Sequence, residues 1–118
     1  MEKKMAEIEK RINNKNSFVY RSNGYYLGFI KDGFLFDPNG IYLGWLEGKF
    51  VWDKRGFFRG VLTSIEDKNY ILLEKFSILP TPRSPKTANN VAPLDPPPNI
   101  RPINLPVDIV DGFEEELK

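Results

Sequence analysis

Apolar and polar positions between Phe18 and Leu62 alternate with the period of a strand, and the alternation repeats. "FVYRSNGYYLGFI" from Phe18, "FLFDPNGIYLGWL" from Phe34 and "FVWDKRGFFRGVL" from Phe50 fall in register every 16 residues. Each copy opens on an aromatic residue with a second two positions on (Phe18 and Tyr20, Phe34 and Phe36, Phe50 and Trp52), which puts both on one face of a strand. A turn follows, Ser22-Asn23-Gly24, Pro38-Asn39-Gly40 or Lys54-Arg55-Gly56, whose Gly supplies the positive φ of a tight reversal. A second strand comes next, and Lys31-Asp32-Gly33 and Glu47-Gly48-Lys49 make the alternate turns. "YILLEKFSIL" from Tyr70 reads as a fourth, degenerate copy, reached through "TSIEDKN", a longer linker without Gly where the repeat loosens.

Self-similarity at a fixed period marks an architecture in which no single unit buries its own apolar face. Four hairpins are therefore predicted, each completing its neighbour's core. Gly28, Gly44 and Gly60 recur in the second strand where a strand-former would be expected, so a bulge, a backbone or a ring from the next copy fills that space. Close packing around a central axis is the expected arrangement.

The flanks read differently. Met5, Ile8 and Ile12 lie on one face of a helix of about three turns, marginal alone and suited to covering an open end of the core; a partner-binding helix is the alternative. Nine of the ten prolines lie between Pro80 and Pro106, a stretch without aromatic residues that favours extended polyproline II. Ile103, Leu105, Val107 and Ile109 then alternate as an edge strand would, followed by the acidic "DGFEEELK" with its single Phe113. Such a strand could dock on an open sheet edge, its own or another subunit's. The predicted organisation is an N-terminal helix over 1–16, a four-hairpin β-repeat domain over 17–79 and an extended Pro-rich tail over 80–118.

Composition narrows the chemistry. The 118 residues suffice for one domain. With 17 basic and 16 acidic residues the formal charge is +1, so nothing draws the chain to nucleic acid or anionic lipid as a whole. The absence of Cys and His removes disulfides, thiolate zinc sites, thiol nucleophiles and imidazole bases together. No unbroken apolar stretch suggests a signal peptide or a membrane span, and a cytoplasmic protein is expected.

The run of short copies, centred on "NGIYLGWLEGKFVWDKRG" and followed by Pro-rich sequence, resembles the 4-fold beta flower proteins. That is a family of small bacterial proteins in which four short hairpins surround a pseudo-fourfold axis. The likeness runs from Phe18 to Leu79. It implies an all-β, pseudo-fourfold fold and brings no catalytic residues with it. Aromatic and Gly hairpin repeats also occur in MORN-type and other short β-repeat proteins.

Asp37 and Asp53 hold the same position in successive copies, with Arg21 replacing them in the first. Before a turn, an Asp caps backbone amides more readily than it serves acid-base catalysis, which needs two carboxyls in a pocket. No phosphate loop or metal-ligand spacing is present, so neither metal nor cofactor is expected. Trp45, Trp52, Arg55, Phe58 and Arg59 form the best candidate group for stacking a small ligand, a sugar or a single nucleic-acid strand, provided the indoles are exposed. The expected role is a non-catalytic structural or protein-interaction module, its partner another protein or a second copy, bound through the Pro-rich tail or a sheet edge.

Overall fold

A computed structural model describes residues 17–113 of the chain, and the helix expected over 1–16 lies outside them. The described residues contain no helix. They form β1 (Ser17–Tyr20), β2 (Tyr26–Lys31), β3 (Phe34–Phe36), β4 (Tyr42–Glu47), β5 (Phe50–Asp53), β6 (Phe58–Ile65), β7 (Lys68–Glu74) and β8 (Ile109–Asp111). The first seven make an antiparallel meander in sequence order. An up-and-down chain of seven strands has its first and last running the same way, so closure requires one parallel pair. That pair is β1–β7, with Val19 opposite Asn69 and Tyr20 opposite Tyr70, and it closes the sheet into a seven-stranded barrel.

The 16-residue period is a strand-turn-strand unit, as expected. In each of three copies the residue before the turn accepts from the turn Gly: Arg21 from Gly24, Asp37 from Gly40 and Asp53 from Gly56. Each second strand then carries a bulge, because Val19, Leu35 and Val51 face Gly28, Gly44 and Gly60 while Tyr20, Phe36 and Trp52 face Tyr26, Tyr42 and Phe58. The extra residues, Leu27, Leu43 and Arg59, sharpen the bend a small barrel needs. Val19, Leu27, Leu35, Val51 and Ile71 come from five different strands yet form one buried cluster, so they fill the barrel interior.

The step from Phe50 to Tyr70 is 20 residues, not 16. The surplus does not make a loose linker. It lengthens β6 to 8 residues and β7 to 7, joined by the two-residue turn Glu66-Asp67. Both turn residues have positive φ, 50° and 66°, a geometry that favours Asn-Gly. Replacing Glu66→Asn together with Asp67→Gly is expected to raise stability by about 1 kcal/mol. A melting temperature that stays put or falls would count against this turn.

The fourth copy is split. Its returning strand is not the stretch after Glu74 but β8, paired antiparallel to β7 with Leu72 opposite Asp111 and Glu74 opposite Ile109. The Gly112 amide donates to the Ile71 carbonyl at 2.9 Å, so "DGF" at 111–113 stands where "LGF", "LGW" and "RGV" stand in the other copies. Tyr70 pairs with both Thr63 and Tyr20, and Leu72 with both Val61 and Asp111, so β1 and β8 share one edge of β7. Of the alternating stretch expected as an edge strand, only Ile109 and its successors form one.

The separate Pro-rich tail expected over 80–118 is corrected accordingly, since its described residues, 80–113, belong to the barrel fold. Between β7 and β8 the chain runs without regular structure as a strap along the turn end of the barrel. The amides of Arg83, Val91 and Ile100 donate to the carbonyls of Gly56, Gly40 and Gly24, visiting the repeats in reverse order. A Cβ on Gly40 would lie 1.9 Å from the Val91 carbonyl oxygen, so Gly at that turn admits the strap as well as supplying φ +83°. Eight or nine residues separate the docking points. At about 3.1 Å per extended residue they span some 25 Å, against about 10 Å between alternate strands, which leaves slack to dip over the outer barrel wall.

Candidate functional site

With aliphatic residues filling the interior, the alternate positions put the aromatic residues on the outer wall. Repeat-related pairs recur there: Phe29 stacks on Phe36 with ring centroids 5.4 Å apart, and Trp45 on Trp52 at 6.5 Å. Edge-to-face pairs follow the same period, Phe18 with Tyr26, Phe34 with Tyr42 and Phe50 with Phe58. Rings so placed need cover, and the strap supplies it. Ala88, Val91 and Leu94 pack on the Phe29, Phe36 and Tyr42 cluster. The Arg83 guanidinium lies 4.8 Å from the Trp52 ring centre and the Lys86 ammonium 5.1 Å from that of Trp45. Tyr42 donates its hydroxyl to the Lys86 carbonyl at 2.8 Å. Glu47 accepts from the Trp45 indole at 3.1 Å and from Arg83 at 3.0 Å, and both hold its carboxyl below the usual value, the indole most.

Three of the five expected binding residues come together: Trp45 and Trp52, stacked, with Phe58 edge-on to Trp52 at 5.3 Å. Both indoles are shielded, Trp45 at 2% exposure and Trp52 at 0%. Arg55 is exposed and lies over Phe57, 5.6 Å from the ring centre. Arg59 turns to the end of the barrel instead, 3.6 Å from Asp53, 4.8 Å from the Phe113 ring centre and donating Nε–H to the Gly112 carbonyl at 2.9 Å. Where the other copies place Leu27 and Leu43, this one holds a charge, matched by a carboxylate and a ring. Asp37 and Asp53 cap their turns. Oδ1 of Asp37 accepts from the amides of Asn39 and Ile41, and Oδ1 of Asp53 from those of Arg55 and Phe57.

Buried phenols give the wall an alkaline limit. Burial raises the pKa of Tyr20, Tyr42 and Tyr70, with Asp53 adding to Tyr42 and Glu66, Tyr20 and Asp111 to Tyr70. Tyr26 is pushed up to about 12 by burial and then by Tyr20 and Asp37, and its hydroxyl has no partner among the described residues. A folded-state pKa above the unfolded value makes a contribution present below about pH 10 and lost as pH rises toward 12. Chemical denaturation across that range should show stability falling in the parent and falling less in Tyr26→Phe. At pH 7 that variant should be at least as stable, because it removes a buried hydroxyl without a partner. Equal alkaline slopes would remove Tyr26 from the account.

One part of the wall departs from the pattern. Val61 pairs with Leu72 across β6 and β7 as Phe29 pairs with Phe36 and Trp45 with Trp52. Two aliphatic side chains thus stand where neighbouring repeats stack two rings. The missing bulk leaves an apolar groove of about 600 Å³, walled by Phe50, Phe58 and Ile65 and by Ile78, Leu79 and Leu105 from the ends of the strap. Sequence reasoning missed it because it arises from small residues at a ring position. The signal was in the register, Val61 and Leu72 at the places of Trp45 and Trp52.

Among the described residues no helix is long and apolar enough to cross a membrane. In comparisons with known proteins, the model for the family described as "4-fold beta flower protein" matches residues 9–109, the strap included. No curated protein and no solved structure matches.

Proposed function

The chain belongs to the 4-fold beta flower family, whose description names an architecture and no reaction, and we propose that it is a non-catalytic binding module whose binding surface is the apolar groove over β6 and β7. The observation that carries this is the groove itself, left where Val61 and Leu72 replace a ring pair. Its volume falls within the roughly 300–1,000 Å³ of ligand sites, and its lining is apolar apart from a few polar groups, Glu74 the one charge. Other surfaces favour binding less. The strap's backbone is committed to Gly24, Gly40 and Gly56, the barrel leaves little open edge, and the indoles are covered. The two repeat-related carboxylates are occupied by turn amides, which supports a module without acid-base chemistry.

The neutral fluorophore N-phenyl-1-naphthylamine tests the reading. Saturable binding at one site is expected for the full chain at dilutions where it is monomeric. The variant Val61→Phe/Leu72→Phe, which restores the rings of the neighbouring repeats, should bind at least about tenfold more weakly while keeping the circular dichroism of the parent. Equal binding by the two, or none by the parent at dilutions where it is monomeric, would overturn it.

A further inference from the structure

The groove is bordered by side chains of the kind that would fill it. Ile78 is 99% exposed and Leu79 47% exposed although both stand at its mouth, and Phe76 and Val107, next to lining residues, are 83% and 89% exposed. Together with Phe50 in the lining, these side chains, at the groove or one residue from it along the chain, expose on the order of 600 Å² of apolar surface. That is the upper end for a lone monomer and most of the roughly 800 Å² per partner of a stable interface.

We propose that the occupant is a second copy of this chain, the two grooves facing across a twofold axis with Phe76 and Ile78 of each copy inserted into the groove of the other. The inference rests on the reading of the groove as the binding surface. A twofold contact brings one patch against itself, so the patch must hold both the cavity and the groups that enter it. This one does, with Ile78 and Leu79 projecting at the rim and Val61 and Leu72 recessed between β6 and β7. It must also tolerate its own charge. Glu74 is the one charge of the lining and accepts from the Ser77 hydroxyl, so the patch sets little like charge against itself. Phe76 supplies the kind of ring that fills the same register position elsewhere on the wall, where Phe29 meets Phe36 at 5.4 Å.

Sedimentation equilibrium of the full chain over a range of concentrations tests this. The parent is expected to dimerise, and Phe76→Asp, Ile78→Asp and the groove-filling Val61→Phe/Leu72→Phe should each weaken self-association at least about tenfold. Phe76 and Ile78 are almost wholly exposed, so their variants should melt as the parent does at dilutions where the parent is monomeric. A parent that stays monomeric, or dimers that survive all three variants, would overturn the second copy as occupant. A monomer that still binds the naphthylamine at one site lost on filling would overturn it while the groove itself stands.

Discussion

A chain ending at Leu79 is expected to lose its cooperative fold, although it retains seven of the eight strands. The missing segment supplies β8, and with it Phe113, which is 3% exposed within the interior cluster. It also supplies the strap over the outer rings, so that Trp45, Trp52, Phe29 and Phe36 would all meet water. Burying one large side chain contributes about 1.5–3 kcal/mol, and several are affected here. A small domain has only about 5–15 kcal/mol in total. Thermal unfolding followed by circular dichroism checks the outcome, no sigmoidal transition for the shortened chain. A second mixture, the shortened chain plus a peptide of residues 80–118, should recover a transition and a blue-shifted Trp emission. If the shortened chain alone melts like the parent, neither β8 nor the strap belongs to the cooperative unit.

Gly44→Ala is expected to be the most damaging of the single substitutions considered. A Cβ there would lie 1.9 Å from the Trp52 carbonyl oxygen and 2.9 Å from the Asp53 Cα. Both obstacles are backbone, so relief requires moving β4 from β5 across the Trp45–Trp52 stack. The loss should exceed about 4 kcal/mol, the size reserved for strain and overpacking in a core. Gly48→Ala is the control. Its φ is +62° and nothing lies within 4 Å, so it should cost about 1 kcal/mol from backbone preference alone. Urea titration of the two variants reads the difference, and equal midpoints would contradict the packing of the second strands.

The aromatic spacing and the turn glycines made β1 to β6 legible, and the two turn carboxylates were read correctly as caps because Asp before a turn has a local reason to be there. The recurring strand glycines were recognised as a site of close approach, and the neighbour is the backbone of the next copy. The split fourth copy was not legible, since β8 is three residues long and follows a stretch of more than thirty without regular structure. The strap docks through backbone amides, which leave little trace in side-chain identity. A faint trace exists all the same. Arg83, Val91 and Ile100 are each followed two residues later by a proline, Pro85, Pro93 and Pro102, and Asn90 and Asn99 precede the last two. Those asparagines accept the amides of Tyr42 and Tyr26. The stacking group was half legible: Trp45, Trp52 and Phe58 do meet, but a ring pair on an outer wall and one on a bare surface have the same alternation.

The split copy also sets the order of events during synthesis. Ile109 to Phe113 leave the ribosome after everything they complete, so three finished hairpins and β7 wait with an interior that lacks Phe113 and with uncovered rings. Their partners are about forty residues apart in the chain, which makes closure a slow, late step. Until then the nascent chain exposes the surfaces that chaperones recognise and that promote aggregation. The strap, laid from the third repeat back to the first, then joins repeats made at different times into one unit.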